Sequence, residues 1–171
     1  LKALFEVSTL VNSEIELSLI LDLISKTVRD YLQTDRCSVL LFDKKKNKLV
    51  CVSAHGVSSE KIKNTELNPG ESVAGWVMTH GEPLLLGEEL QEDKFKNFVS
   101  KEEKISSSLS VPLKVKNEIK GVLNVCMVKG ERKFNEADLK LVSIFAQNVA
   151  VSIEKAERVL DEYKKNPASF D

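Results

Sequence analysis

Two β-type runs, Ser107–Val115 and Ile119–Val128, are separated only by Lys116-Asn117-Glu118. A parallel crossover needs about a dozen residues or more, so a connection this short forces the two strands to pair antiparallel. A second pair, Cys37–Asp43 (CSVLLFD) and Lys48–His55 (KLVCVSAH), flanks the polar turn at Lys44-Lys45-Lys46 in the same way. Two tight hairpins commit the middle of the chain to a largely antiparallel sheet.

The two ends follow a different period. Leu1–Val11 reads as a helix that Asn12 and Ser13 break. A second helix runs from about Glu14 to Leu32, with a stripe at Leu17, Leu21, Ile24, Val28 and Tyr31 spaced 4, 3, 4, 3. The last helix runs from Glu136 to about Lys165. Asn135 is placed to cap it, with Asp138 at the third position and Phe134 set to staple onto Leu139. Between the hairpins, Thr65–Leu67 is a short strand closed by Asn68-Pro69-Gly70, and Pro83–Leu86 is another. The fold class is therefore α+β, with a largely antiparallel sheet of about six strands and helices on its faces.

Length and composition narrow the function. The 171 residues make one domain. The net charge of −1 gives no nucleic-acid footprint. No apolar run approaches the roughly 20 residues of a membrane helix. The three cysteines, Cys37, Cys51 and Cys126, are odd in number and lie far apart. They read as buried thiols in a reducing compartment, which places the protein in the cytoplasm. Because the first residue is Leu1, the chain reads as a piece of a longer polypeptide.

Ser72–Leu86, SVAGWVMTHGEPLLL, holds the chain's one tryptophan. It reads as a short helix over Glu71–His80, ended by Gly81 and followed by a strand. Gly75 permits close approach to neighbouring backbone, and Trp76 brings a large surface to bury. Glu88–Lys104 is charged, and Phe95, Phe98 and Val99 fit one face of a weakly docked short helix.

With Val115 opposite Ile119 across the turn, and Asn117 at its left-handed position, Val111 faces Leu123 and Leu109 faces Val125 on one apolar side. The other side pairs Ser110 with Asn124 and Ser108 with Cys126. A half-polar strand face either meets water or lines a pocket.

Three stretches together resemble the GAF domain family of small-molecule sensory modules. They are PGESVAGWVMTHGEPLLL (Pro69–Leu86), SSLSVPLKVKNEIKGVLNV (Ser107–Val125) and FNEADLKLVSIFAQNVAVSIE (Phe134–Glu154). The resemblance covers residues 1–157 and leaves 158–171 as a helical overhang toward an output domain. It implies terminal helices on one sheet face and a ligand pocket, under short helices and loops, on the other. On that reading Ser108, Ser110 and Asn124 are polar pocket groups, Trp76 belongs to the wall, and Phe95 and Phe98 form a lid.

Several ligands of the family fit poorly. Of the N-K-F-D-E signature of cyclic-nucleotide-binding members, Lys129, Phe134 and Asp138 match, but the asparagine position falls near Val128 and the glutamate position on Leu139. Bilin-carrying members attach pigment through a cysteine, commonly beside a histidine, in the segment matching 88–104, which here has neither. His55 and His80 have no metal-ligand neighbours in sequence and read as structural, not haem-ligating. Free methionine-(R)-sulfoxide reductase, an enzyme on the same fold, uses cysteines near that segment; here Lys101–Ser108 (KEEKISSS) has none. No catalytic residues are assigned, and the chain reads as non-enzymatic.

The last helix carries a heptad seam: Leu139, Val142, Ala146, Val149, Ile153, Ala156, Leu160 and Tyr163, alternately 3 and 4 apart. Residues Val142 through Tyr163 of that seam are assigned to a parallel homodimer whose first and last helices form a bundle. The leading reading is a small-molecule-sensing regulatory domain of a bacterial-type signalling protein. The alternatives are a ligand-free dimerisation scaffold and a redox enzyme resembling the sulfoxide reductase.

Overall fold

The structure, a computed structural model, describes residues 2–87, 105–128 and 132–165. Helix α1 (Lys2–Leu32) leads into the hairpin β1 (Arg36–Asp43) and β2 (Lys48–Gly56). A single turn, α2 (Ser59–Ile62), precedes strand β3 (Glu66–Leu67). Helix α3 (Ser72–His80), strand β4 (Leu84–Leu86), the hairpin β5 (Ser107–Val115) and β6 (Glu118–Met127), and helix α4 (Glu136–Lys165) follow. One sheet of six strands has the order β3-β2-β1-β6-β5-β4, with every neighbouring pair antiparallel.

The long helices α1 and α4 cover one face. Leu21, Val28 and Leu32 of α1 and Val142, Ala146, Val149 and Ile153 of α4 meet Cys37, Val39, Leu109, Val111, Leu123 and Val125 in the main core. Helix α3 covers the opposite face, where Ala74 and Val77 pack with Leu40, Leu49, Cys51 and Val122.

Three sequence expectations are corrected. First, α1 runs unbroken through Asn12 and Ser13. Neither residue removes a backbone donor as proline does, and each costs only about half a kcal/mol against alanine. Second, Tyr31 is 71% exposed, and Leu32 takes its place in the core. A strict 3-and-4 stripe drifts around a straight helix of 3.6 residues per turn, so Leu32, not Tyr31, lies in line below Val28. Third, the β5–β6 turn has two residues. Val115 pairs with Glu118 and Lys114 with Ile119, and a bulge before Leu113↔Gly121 restores the register. The left-handed residue of that turn is Lys116, at φ 58°, and not Asn117.

The α4 entry follows the sequence reading. Asn135 Oδ1 accepts from the Asp138 amide at 3.0 Å and Asp138 Oδ2 accepts from the Asn135 amide at 2.9 Å, a reciprocal cap.

Candidate functional site

Strand alternation sends one set of side chains from β1, β6 and β5 toward α3. Because Ser38 pairs with Asn124 and Asn124 with Ser110, three polar residues form a row across the middle of the sheet. Ser108, opposite Cys126, lies one step along the same face. Ser38, Ser108 and Ser110 are buried, and Asn124 is partly open. The structure thus brings Ser108, Ser110 and Asn124 together.

Both serines serve one acceptor. The Ser110 hydroxyl donates to Asn124 Oδ1, and the Ser108 hydroxyl reaches the same oxygen at 3.5 Å. That fixes the orientation of the asparagine. Its amide nitrogen has no acceptor among the described residues, so two N–H donors point away from the cluster. Two residues before Ser38 on β1, and therefore on the same face, stands Arg36. It is 6% exposed, with Nη1 donating to the Val57 carbonyl at 3.2 Å.

Helix α3 forms the roof. Gly75 brings it down onto the preceding turn, where a Cβ would stand 2.9 Å from the Gly70 nitrogen and 3.0 Å from the Asn68 oxygen. Gly81 ends the helix in the left-handed conformation at φ 70°, donating to the Val77 carbonyl. Trp76 is half-buried against the α3-side core, and its ring stacks on His80 at 3.9 Å between centroids. It is a flank of the roof more than a core residue. Phe95 and Phe98, the expected lid, lie outside the described residues.

Sequence reasoning missed Ser38 and Arg36. Both lie on β1, whose partner β6 is far away in sequence, so no local turn fixes which residue meets Asn124.

The histidines and cysteines have structural settings. His55 Nε2 lies 3.1 Å from Asp22 Oδ1, which also accepts from Ser53 at 2.9 Å. Ser53 in turn meets Ser25 at 2.7 Å, so a polar clasp joins α1 to β2. The Ser53 hydrogen bond, followed by that of His55, holds the Asp22 carboxyl below its ordinary range. His80 Nδ1 lies 2.9 Å from the Trp76 carbonyl. Burial pushes the Cys51 thiol up to about 11 and the Cys37 thiol higher still. Thiols so placed are protonated at neutral pH and are poor nucleophiles.

The α4 seam divides. Val142, Ala146, Val149 and Ile153 are buried in the chain's own core, while Ala156, Leu160 and Tyr163 are half-exposed. The outward surface of the helical layer instead carries Ile15, Leu19 and Leu23 of α1 and Ile144 and Val151 of α4, each more than half exposed. Among the described residues, no helix is long and apolar enough to cross a membrane, and no cluster of three or more metal-ligating side chains occurs.

The chain is 24% identical over 168 residues to the Nif-specific regulatory protein of Azospirillum brasilense. That match covers 95% of this chain but only 27% of the relative's length. Among solved structures, the GAF domain of an Acinetobacter phosphoenolpyruvate-protein phosphotransferase superposes with a TM-score of 0.74. It is 24% identical, and the match covers 91% of this chain and 96% of that one. A type II free methionine-R-sulfoxide reductase from Thermoplasma acidophilum shares the fold at a TM-score of 0.71 and 12% identity, over 84% of this chain and 96% of that one. The sequence profile of the GAF domain matches residues 16–153, the greater part of the chain, and the chain belongs to the GAF domain family.

Proposed function

We propose that this chain is the ligand-sensing domain of a larger cytoplasmic signal-transduction protein. It binds a small molecule between the sheet and α3 and relays occupancy through its terminal helices to an output domain. The observation that carries this reading is the Ser38–Asn124–Ser110 row, in which Asn124 Oδ1 accepts from Ser108 and Ser110 while its amide donors have no acceptor among the described residues. A few converging polar groups on an otherwise apolar, mostly buried face are what a small-ligand site needs. The Azospirillum relative is named a regulatory protein, which agrees with a role in control.

The relay we propose is a homodimer through the outer face of α1 and α4. Ile15, Leu19, Leu23, Ile144 and Val151 form its apolar surface. Past Ile153 the inward seam runs on through Ala156, Leu160 and Tyr163, which pair between the two copies and lead into the helical link, residues 158–171, to the output domain, beyond a sensory domain of residues 1–157. A ligand that binds two helix arrangements unequally shifts that output. We assign no catalytic role, because the two thiols whose ionisation burial shifts are protonated at neutral pH.

A ligand-free scaffold is the second reading, favoured by one observation: the hydroxyls of Ser108 and Ser110 already donate within the protein, both to Asn124 Oδ1. A thermal-shift screen of small polar metabolites separates the two. The sensor reading expects a hit that stabilises the wild type and fails on Asn124→Ala. Hits that act equally on both proteins, or no hit at all, favour the scaffold.

A further inference from the structure

The last three turns of α4 are held differently from the rest of the helix. Up to Ile153 the helix is anchored by buried apolar side chains, but from Glu154 to Lys165 no residue is buried. There the helix lies beside a groove of about 400 Å³ between itself and the two hairpin tips. Phe42, Ile119 and Leu160 form the apolar part of its lining.

An ion-pair chain crosses this end of the molecule. Lys120 Nζ lies 2.9 Å from Glu118 and 3.0 Å from Glu157 of α4, and Glu118 also pairs with Lys44 of the β1–β2 turn. Both hairpin tips and α4 thus meet through the Glu118–Lys120 pair. Its side chain is only 13% exposed, against 43% for Glu157 and 48% for Glu118, so solvent screens it less than an ordinary surface pair. Burial works against its charge, but the hydrogen bonds to Glu118 and Glu157 outweigh it and raise the ammonium above the usual lysine range.

The β6 bulge is what aims Lys120. Gly121 pairs with Leu113, a residue of the helix-side core, yet Lys120 also reaches α4 on that side. Strict alternation would send these successive residues to opposite faces, and the bulge re-aims one of them.

We propose that Lys120 is a latch that holds the last turns of α4 against the hairpin tips, and that these turns release as a unit when the Lys120–Glu157 pair opens. Leu160 both lines the latched groove and belongs to the heptad seam. Pairing of that seam with a second copy therefore requires release; this consequence, and not the latch itself, rests on the dimer proposed above.

The test is amide hydrogen exchange along α4 in the wild type, Lys120→Met and Glu157→Gln, and in the wild type at about 1 M salt, where the Debye length falls to about 3 Å. The latch expects exchange about three- to tenfold faster within 154–165 in all three perturbed samples, with 136–153 unchanged. Unchanged exchange at 154–165, or acceleration spread evenly along α4, overturns it. Sedimentation of the same samples separates the two ideas. Local release with a monomeric mass keeps the latch and removes the dimer, whereas a dimer without local release does the reverse.

Discussion

Gly121→Ala probes the seam between β1 and β6 on which the polar row depends. Gly121 pairs with Leu41 and Leu113. A Cβ there would stand 2.0 Å from the Leu40 carbonyl oxygen and 3.0 Å from the Leu40 carbonyl carbon. Ordinary carbon–oxygen contact begins near 3.3 Å, so β1 and β6 must separate locally by about 1 Å. The obstacle is backbone, which cannot rotate away as a side chain does. Overpacking costs about 1–3 kcal/mol. Weakening one or two ladder hydrogen bonds adds about 1 kcal/mol each. The expected loss is about 2–5 kcal/mol, read as a lower urea midpoint with an unchanged slope. Gly121→Ser should cost at least as much. A loss below about 0.5 kcal/mol would mean the strands tolerate a methyl group at this point, and the reasoning from close backbone approach would fail.

Four further outcomes follow. Lys116→Gly should stabilise the protein by about 0.5–1 kcal/mol in urea melts, because a left-handed turn residue costs a lysine what it does not cost a glycine. Asp22 has a lowered folded pKa, so its contribution to stability is present above its unfolded value of 3.8 and is lost as pH falls through the folded value. Urea midpoints of the wild type should therefore drop more steeply below about pH 4 than those of Asp22→Asn. Leu19→Glu combined with Val151→Glu should convert a sedimenting dimer to monomer without lowering thermal stability, because both side chains are 65% exposed. Cys37, Cys51 and Cys126 are all buried, so a thiol reagent should label them only at the rate of unfolding; a burst of labelling in the native protein would contradict their placement.

What could be read from the sequence depended on how local the determining contacts are. The cap at Asn135 and Asp138 needs three residues of spacing, and it is found as read. The facing of Ser110 with Asn124 was also legible, although the turn was not. Placing an extra residue in the turn has the same effect on register as placing it in a bulge, so the two misplacements cancel beyond Leu113. The break read at Asn12-Ser13 weighed a weak propensity too heavily, since no glycine or proline lies between Lys2 and Leu32. Ser38 was out of reach because its neighbour Asn124 is supplied by a strand far along the chain. The heptad seam was legible as a period, but a period does not say what covers it. Val142–Ile153 spends it on the sheet, and the outward apolar residues Ile144 and Val151 fall outside it.

The most direct test of the sensing claim is native mass spectrometry of the protein as purified, set against its denatured mass and repeated with Asn124→Ala. The account predicts an added non-covalent mass on each wild-type subunit that is lost on denaturation and absent from the variant. An added mass that persists in Asn124→Ala, or none even after exposure to a cell metabolite extract, would contradict a ligand held by the Ser38–Asn124–Ser110 row.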